Sequence, residues 1–261
     1  MTFKKMQTLV SVLGIVFLMI STQALRAAVR LPAVIGDHMV LQQSKPIPVW
    51  GWAEPGEKVA VRLSGQEMTT HASEDGRWRV VFPPLQAGGR PVEMAVRGEK
   101  GPEISVQDIL VGEVWVCSGQ SNMEWPLSLT TSSTPEILRA DHPGIRLFLV
   151  PQRTADRPQE DVEAEWTLCT PETAAPFSAV AFHFGLELHH KLGIPVGLIE
   201  AAWGGTAIEP WTPPAGFSAV PETAAIMDEL ERRNGEYWRP ITMPITGKTR
   251  GETFRISSAC L

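Results

Sequence analysis

The part of this sequence able to do covalent chemistry is a serine held between two amides, Gln120-Ser121-Asn122, directly after an apolar run. Residues 112–126 read GEVWVCSGQSNMEWP, and the strand-like portion stops at Ser118-Gly119. A serine hydroxyl attacks a carbonyl carbon when a base within hydrogen-bond reach takes its proton. The oxyanion so formed needs donors already aimed at it. Gly119 permits a tight exit from the strand and the Ser121 N–H is a candidate backbone donor. Asn122, with Gln120 on the other side of the serine, adds side-chain amides. Gly204-Gly205-Thr206, which follows another strand candidate, offers a second bare backbone N–H. Taken alone, Gly, Ser and Asn at a strand end are also ordinary turn residues.

No base for this serine is identifiable. Of the six histidines, His183, His189 and His190 fall on a predicted helix, which as a crossover packs on the flank of a sheet, away from its strand ends. His183 and Glu187 share a face at i,i+4 and read as a solvated helix surface rather than a metal pair. His38 and His71 lie in the β-rich region; His142, in ADHPG, is the one candidate retained. Cys117, Cys169 and Cys260 have no metal-ligand spacing and cannot all pair, and Cys117 reads as a small apolar strand residue.

The elements that must position Ser121 belong to a βαβ pattern. DILVGEVWVC (108–117) is a continuous apolar strand of the kind buried on both faces of a parallel sheet. GIRLFLV (144–150) and PVGLIEAAW (195–203) are two more. Between them FSAVAFHFGLELHHKLG places Phe177, Val180, Phe184 and Leu188 at helical spacing, with Pro176 near its start, Lys191 in its last turn and Gly193 just past its end. This predicts an α/β domain over 108–261, with a partial doubly wound, flavodoxin-like parallel sheet, and ligands beyond the carboxyl ends of its strands. Residues 30–107 predict an antiparallel β-sandwich-like domain: short Val- and Trp-rich runs separated by Pro and Gly. There KVAVRL alternates, putting Val59, Val61 and Leu63 on one face, and Asp75-Gly76 marks a tight turn. Trp50, Trp52 and Trp78 read as core, with a sugar-stacking surface as the alternative. Residues 221–233 could form one further helix, and the tail after Tyr237 has no period.

Lys4 and Lys5, the apolar run 9–20 and the small residues 24–28 have the layout of a secretory signal peptide, 1–27. The run is short for a membrane span; an uncleaved anchor is the alternative. The expectation is therefore a secreted or periplasmic protein with no span in its mature chain. Cleavage near Ala27 removes Lys4, Lys5 and Arg26 and takes the formal charge from −6 to −9. An acidic chain without a basic run argues against nucleic acid as a partner. Nothing here bears on oligomeric state.

GEVWVCSGQSNMEWP together with FSAVAFHFGLELHHKLGIPVGLIEAAWGGTAIEPW resembles the sialate O-acetylesterase family, within the SGNH hydrolases. The upstream LPAVIGDHMVLQQSKPIPVWGWAEPGEKV is similar to the β domain that precedes the catalytic domain in bacterial members. The resemblance spans residues 31–211 and implies Ser121 as nucleophile, with oxyanion help from its N–H and from Gly205. It implies hydrolysis of an acetyl ester on a sugar or glycan through an acyl-serine, without metal or organic cofactor. The family's later oxyanion segment and its Asp-x-x-His pair have no match after Trp211. The resemblance thus implies a chain truncated near the middle of the SGNH domain, and impaired or inactive for lack of the base. A non-catalytic glycan-binding protein is the reading from another class.

Overall fold

The computed structural model describes residues 29–131, 133–155, 159–208, 211–212, 216–217, 219–223 and 232. Among them, ten strands run in chain order: β1 (Val40–Gln42), β2 (Ile47–Trp52), β3 (Lys58–Leu63), β4 (Gln66–His71), β5 (Arg77–Phe82), β6 (Gly88–Arg97), β7 (Ile104–Gly119), β8 (His142–Leu149), β9 (Trp166–Cys169) and β10 (Val196–Ala202). Four helices accompany them: α1 (Ser121–Glu124), α2 (Ser133–Leu138), α3 (Pro171–Ala174) and α4 (Ala179–Leu192). The chain divides into two compact units.

The first unit comprises Pro48–Phe82 and Glu93–Val106 with the described residues up to Leu31. Its strands follow the order β4-β3-β6 and on to the first residues of β7, with β2 paired separately to β5. The expected alternation on β3 holds: Val59, Val61 and Leu63 are buried while Lys58 and Arg62 are exposed. Ser64 and Gly65, at φ 49° and 78°, make the two-residue turn into β4, where both centres need the left-handed region. The Asp75-Gly76 turn forms as expected, with Ser73 Oγ donating to Asp75 Oδ1 and Gly76 at φ 78°. Trp78 joins Val49, Val80, Phe82, Met94 and Val96 in this unit's core. Trp52 carries the Arg30 guanidinium 3.7 Å from its ring centroid, so that ring already has a cationic partner.

The second unit comprises Pro32–Ile47, Pro83–Val92 and the described residues from Gln107 onward. Its centre is a parallel trio in the order β7-β10-β8. β9 adds antiparallel to β8 and β1 adds parallel to β7. The sheet is therefore mixed, with a parallel heart, and the α/β class stands. Helix α4 starts at Ser178, whose Oγ accepts the Ala181 N–H at 3.1 Å, and stops at Gly193 in the left-handed region (φ 66°). It lies tight on β10 because Gly185 has no side chain: a Cβ there would stand 2.5 Å from Leu198 Cδ1.

Two expectations from periodicity are corrected. The stripe Val180–Phe184 is not the buried face of α4; Val180 is 51% and Phe184 38% exposed, and Ala181, Phe182 and Gly185 are buried instead. Ala181 and Gly185 permit close approach to the sheet, and Phe182 fills the core beside them. Likewise β7 is not buried on both faces throughout, since Trp115 and Val116 are 43% and 41% exposed. Phe184 meets Trp115 edge-on at 5.1 Å, which covers that ring in part. Residues 1–27, expected as a signal peptide, and the tail after Tyr237 lie outside the described residues. Of the helix expected over 221–233, Pro221–Thr223 forms a 3-10 turn, and of the rest only Arg232 is described. Among the described residues no helix is long and apolar enough to cross a membrane.

Candidate active site

The parallel trio sets where the candidate residues emerge. β7 and β10 are in register to their last residues, Gly119 opposite Ala202, so the chain leaves both strands at one sheet edge. The Trp203 N–H donates to Gly119 O at 3.0 Å and ties the two exits together. Gly119 adopts φ 154°, and a Cβ there would stand 3.3 Å from Met123 Cβ, so glycine is what lets the chain turn straight into α1.

Helix α1 is a single turn. The Gln120 carbonyl accepts from Met123 N–H (2.9 Å) and Glu124 N–H (3.0 Å), and Ser121 O accepts from Trp125 N–H (3.0 Å). Its first two amides, on Ser121 and Asn122, have no acceptor among the described residues. Ser121 is exposed, and its Oγ donates a long hydrogen bond, 3.4 Å, to Gln120 Oε1. Gln120 Nε2 in turn donates to Thr206 O at 3.4 Å, so this side chain links the serine to the loop after β10. Asn122 is exposed without a described partner.

The loop after β10 packs directly on the serine. A Cβ built on Gly204 would lie 3.4 Å from both Ser121 Cα and Cβ. Gly204 N–H donates to Glu124 Oε2, and Gln152 Nε2 donates to Glu124 Oε1 at 2.5 Å. Gly205 follows at φ 76°, exposed, with its N–H unmatched among the described residues. Thr206 closes the loop, donating to Trp203 O (2.7 Å) and accepting from Trp211 Nε1 (2.8 Å). Ser121, Gln120, Asn122 and Gly205 thus emerge at one sheet edge. Sequence reasoning missed Glu124 and Gln152; a carboxylate three residues past the serine, on the same helical turn, was the available signal.

Behind α1 lies a buried acid. Glu200 on β10 is 3% exposed and accepts the Ser178 N–H at 2.7 Å. Burial, reinforced by the nearby Glu124 carboxylate, pushes its carboxyl up to about 7, against the pull of the Ser178 N–H. Ser178 Oγ also lies 3.5 Å from Met123 Sδ, and Trp125 O accepts the Ala179 N–H at 2.9 Å, so the start of α4 braces the serine turn.

None of the histidines bonds to Ser121. His142 begins β8, and because β8 runs parallel to β10 and β7 it stands at the opposite sheet edge from the serine. There it packs on Phe182 and His190, and burial lowers its basicity. His189 Nδ1 donates to Ile194 O at 2.7 Å, His183 Nε2 sits 3.5 Å from Glu136 Oε2, and His38 Nδ1 bonds Asp108 Oδ2 at 2.7 Å. Glu187, expected on the same face as His183, pairs with Lys191 at 2.8 Å. His71 lies exposed on β4 of the first unit. Cys117 and Cys169 are free, buried thiols, pushed by desolvation up to about 11 and about 12. Among the described residues no cluster of three or more His, Cys, Asp or Glu could hold a metal ion.

Residues 111–231 match the family model described as carbohydrate esterase, sialic acid-specific acetylesterase. This segment holds Ser121 and the Gly204–Gly205 loop together. Over it, the chain belongs to the sialate O-acetylesterase family. The mouse sialate O-acetylesterase is 33% identical over 222 residues, 77% of this chain and 41% of that protein. The human enzyme is 34% identical over 218 residues, 76% of this chain and 42% of its own. The chain thus spans well under half the length of these sialate O-acetylesterases. A crystal structure of a carbohydrate acetylesterase from Xanthomonas citri is similar at TM-score 0.69 and 39% identity, covering 72% of this chain and 43% of that one.

Proposed function

We propose that this chain carries the nucleophile side of a carbohydrate O-acetylesterase site, acting on acetyl esters of sugars. The observation that carries the reading is the exposed Ser121 at the end of a parallel strand, with a glycine loop so close that a Cβ on Gly204 would lie 3.4 Å from Ser121 Cβ. Attack of Ser121 Oγ on the acetyl carbonyl forms the Oγ–C bond. Collapse of the tetrahedral intermediate breaks the ester C–O bond, and the sugar leaves as its hydroxyl after protonation. Water then attacks acetyl-Ser121 and releases acetate. The Ser121 N–H and the Gly205 N–H, both without described acceptors, are the donors for the oxyanion, and Asn122 and Gln120 flank it with side-chain amides.

All six histidines of the chain are among the described residues and none bonds to Ser121, so none of them stands as its proton acceptor. The same reading therefore gives these 261 residues slow turnover by themselves, since removing a triad's base costs several orders of magnitude. Incubation with p-nitrophenyl acetate or an acetylated sugar, followed by peptide mass mapping, tests this. Expected is slow acetate release with acetyl label on the Ser121 peptide, both lost in Ser121→Ala. An Ala variant that turns over as fast as the parent refutes the nucleophile. Rapid Ser121-dependent turnover refutes the missing base. The basic start at Lys4-Lys5 and the apolar run 9–20 support export as part of this proposal.

A further inference from the structure

We infer that Glu124 is a positioning residue that clamps the Gly204–Gly205 loop onto the serine turn, and so sets where the Gly205 N–H stands relative to Ser121. Its catalytic meaning rests on the esterase reading above; the clamp itself rests on geometry. A helix of one turn has no stability of its own, because nucleation is unfavourable and little propagation follows. Something tertiary must hold α1, and the Glu124 side chain is built for it. Each carboxylate oxygen has its own partner: Oε2 takes the Gly204 N–H and Oε1 takes Gln152 Nε2 at 2.5 Å. Gln152 also donates to Ala202 O at 3.2 Å. One carboxylate therefore joins the turn after β7, the loop after β10 and the segment after β8, which are the three exits of the parallel trio.

Both bonds are charge-assisted, the stronger class of hydrogen bond. The approach also explains the glycine: a Cβ on Gly204 would collide with Glu124 Oε2 while touching Ser121. Gly204 gives its amide to Glu124, while the N–H of the next residue, Gly205, has no acceptor among the described residues. Glutamine can still accept from Gly204 but presents an NH2 where Gln152 presents another. Alanine removes both bonds.

The test uses the whole chain and two readouts. Amide exchange by 1H–15N NMR on the parent, Glu124→Ala, Glu124→Gln and Ser121→Ala reads the clamp without turnover. Expected is faster exchange of Gly204 by about tenfold in Glu124→Ala, the scale of one lost hydrogen bond, with the Gly205 resonance shifted. Glu124→Gln should keep part of the protection, and Ser121→Ala should leave it intact. Unchanged Gly204 exchange in Glu124→Ala overturns the clamp. Aryl-acetate kinetics then read its consequence: kcat falls about tenfold in Glu124→Ala with KM unmoved, as for a donor that acts on the transition state. A loss confined to KM overturns the positioning role. Turnover unaffected by Ser121→Ala would sink the esterase reading alone, while exchange still decides the clamp.

Discussion

Glu200→Gln is expected to stabilise the second unit at pH 8 and to weaken it by about 1 kcal/mol at pH 4. The native carboxyl titrates at about 7, against 4.5 for the free side chain, chiefly because it is buried. Below 4.5 both folded and unfolded chains hold the proton and the acid costs nothing. As the pH rises towards 7 the unfolded chain releases its proton while the folded chain keeps it, so stability falls across that window. Above it the ionised, buried carboxylate carries a penalty of roughly 3 kcal/mol. The glutamine oxygen can still accept the Ser178 N–H, so that bond survives the change. An unpaired hydrogen on the new amide takes back about 1 kcal/mol, leaving a gain of about 2 kcal/mol. Urea unfolding of parent and variant at both pH values, followed by tryptophan fluorescence, measures the difference. A variant equal to or weaker than the parent at pH 8 refutes the reasoning, for it would mean the ionised carboxylate is well solvated or usefully bonded where it sits.

Arg146, with a side chain only 4% exposed, makes a bidentate pair with Asp108 at 2.7 and 3.2 Å. Asp108→Asn should therefore cost about 3 kcal/mol in the same urea assay at pH 7, the scale of a buried charge losing its partner. The guanidinium holds the Asp108 carboxyl below 3.8, so the parent should shed this stabilisation only as the pH falls through that depressed value. Export predicts recovery of a chain cut near Ala27 from the periplasmic or secreted fraction. N-terminal sequencing checks it, and an intact Met1 on cytoplasmic protein refutes it.

The signals that were legible are those with a strict local cause. Alternation on β3 named its buried face because a one-residue slip would invert every side chain. The apolar runs became β8 and β10, and Gly193 ended α4 where a left-handed residue was needed. The end of β7 was legible because Gly119 and the polar residues after it break the apolar run. What stayed hidden depends on partners distant in sequence. β9 is four residues long and exists by pairing with β8. Which face of α4 is buried was decided by Gly185 against Leu198, a contact that no helical period contains. Glu124 went unmarked because Gln152 and Gly204 reach it only through the folded sheet.

β7 is served in succession by two parallel strands: β1 pairs up to Gly112, and β10 takes over from Glu113. At the junction a Cβ on Gly112 would collide with the Pro195 carbonyl, and a Cβ on Gly197 would stand 2.9 Å from Val40 Cβ. Residues 40–42 and 196–202 must therefore arrive side by side on the same template, although most of the chain lies between them. Ordering that junction demands closure of a long loop before any local contact rewards it. High contact order of this kind slows folding, and the strand end that carries Ser121 belongs to the part of the sheet that depends on this closure.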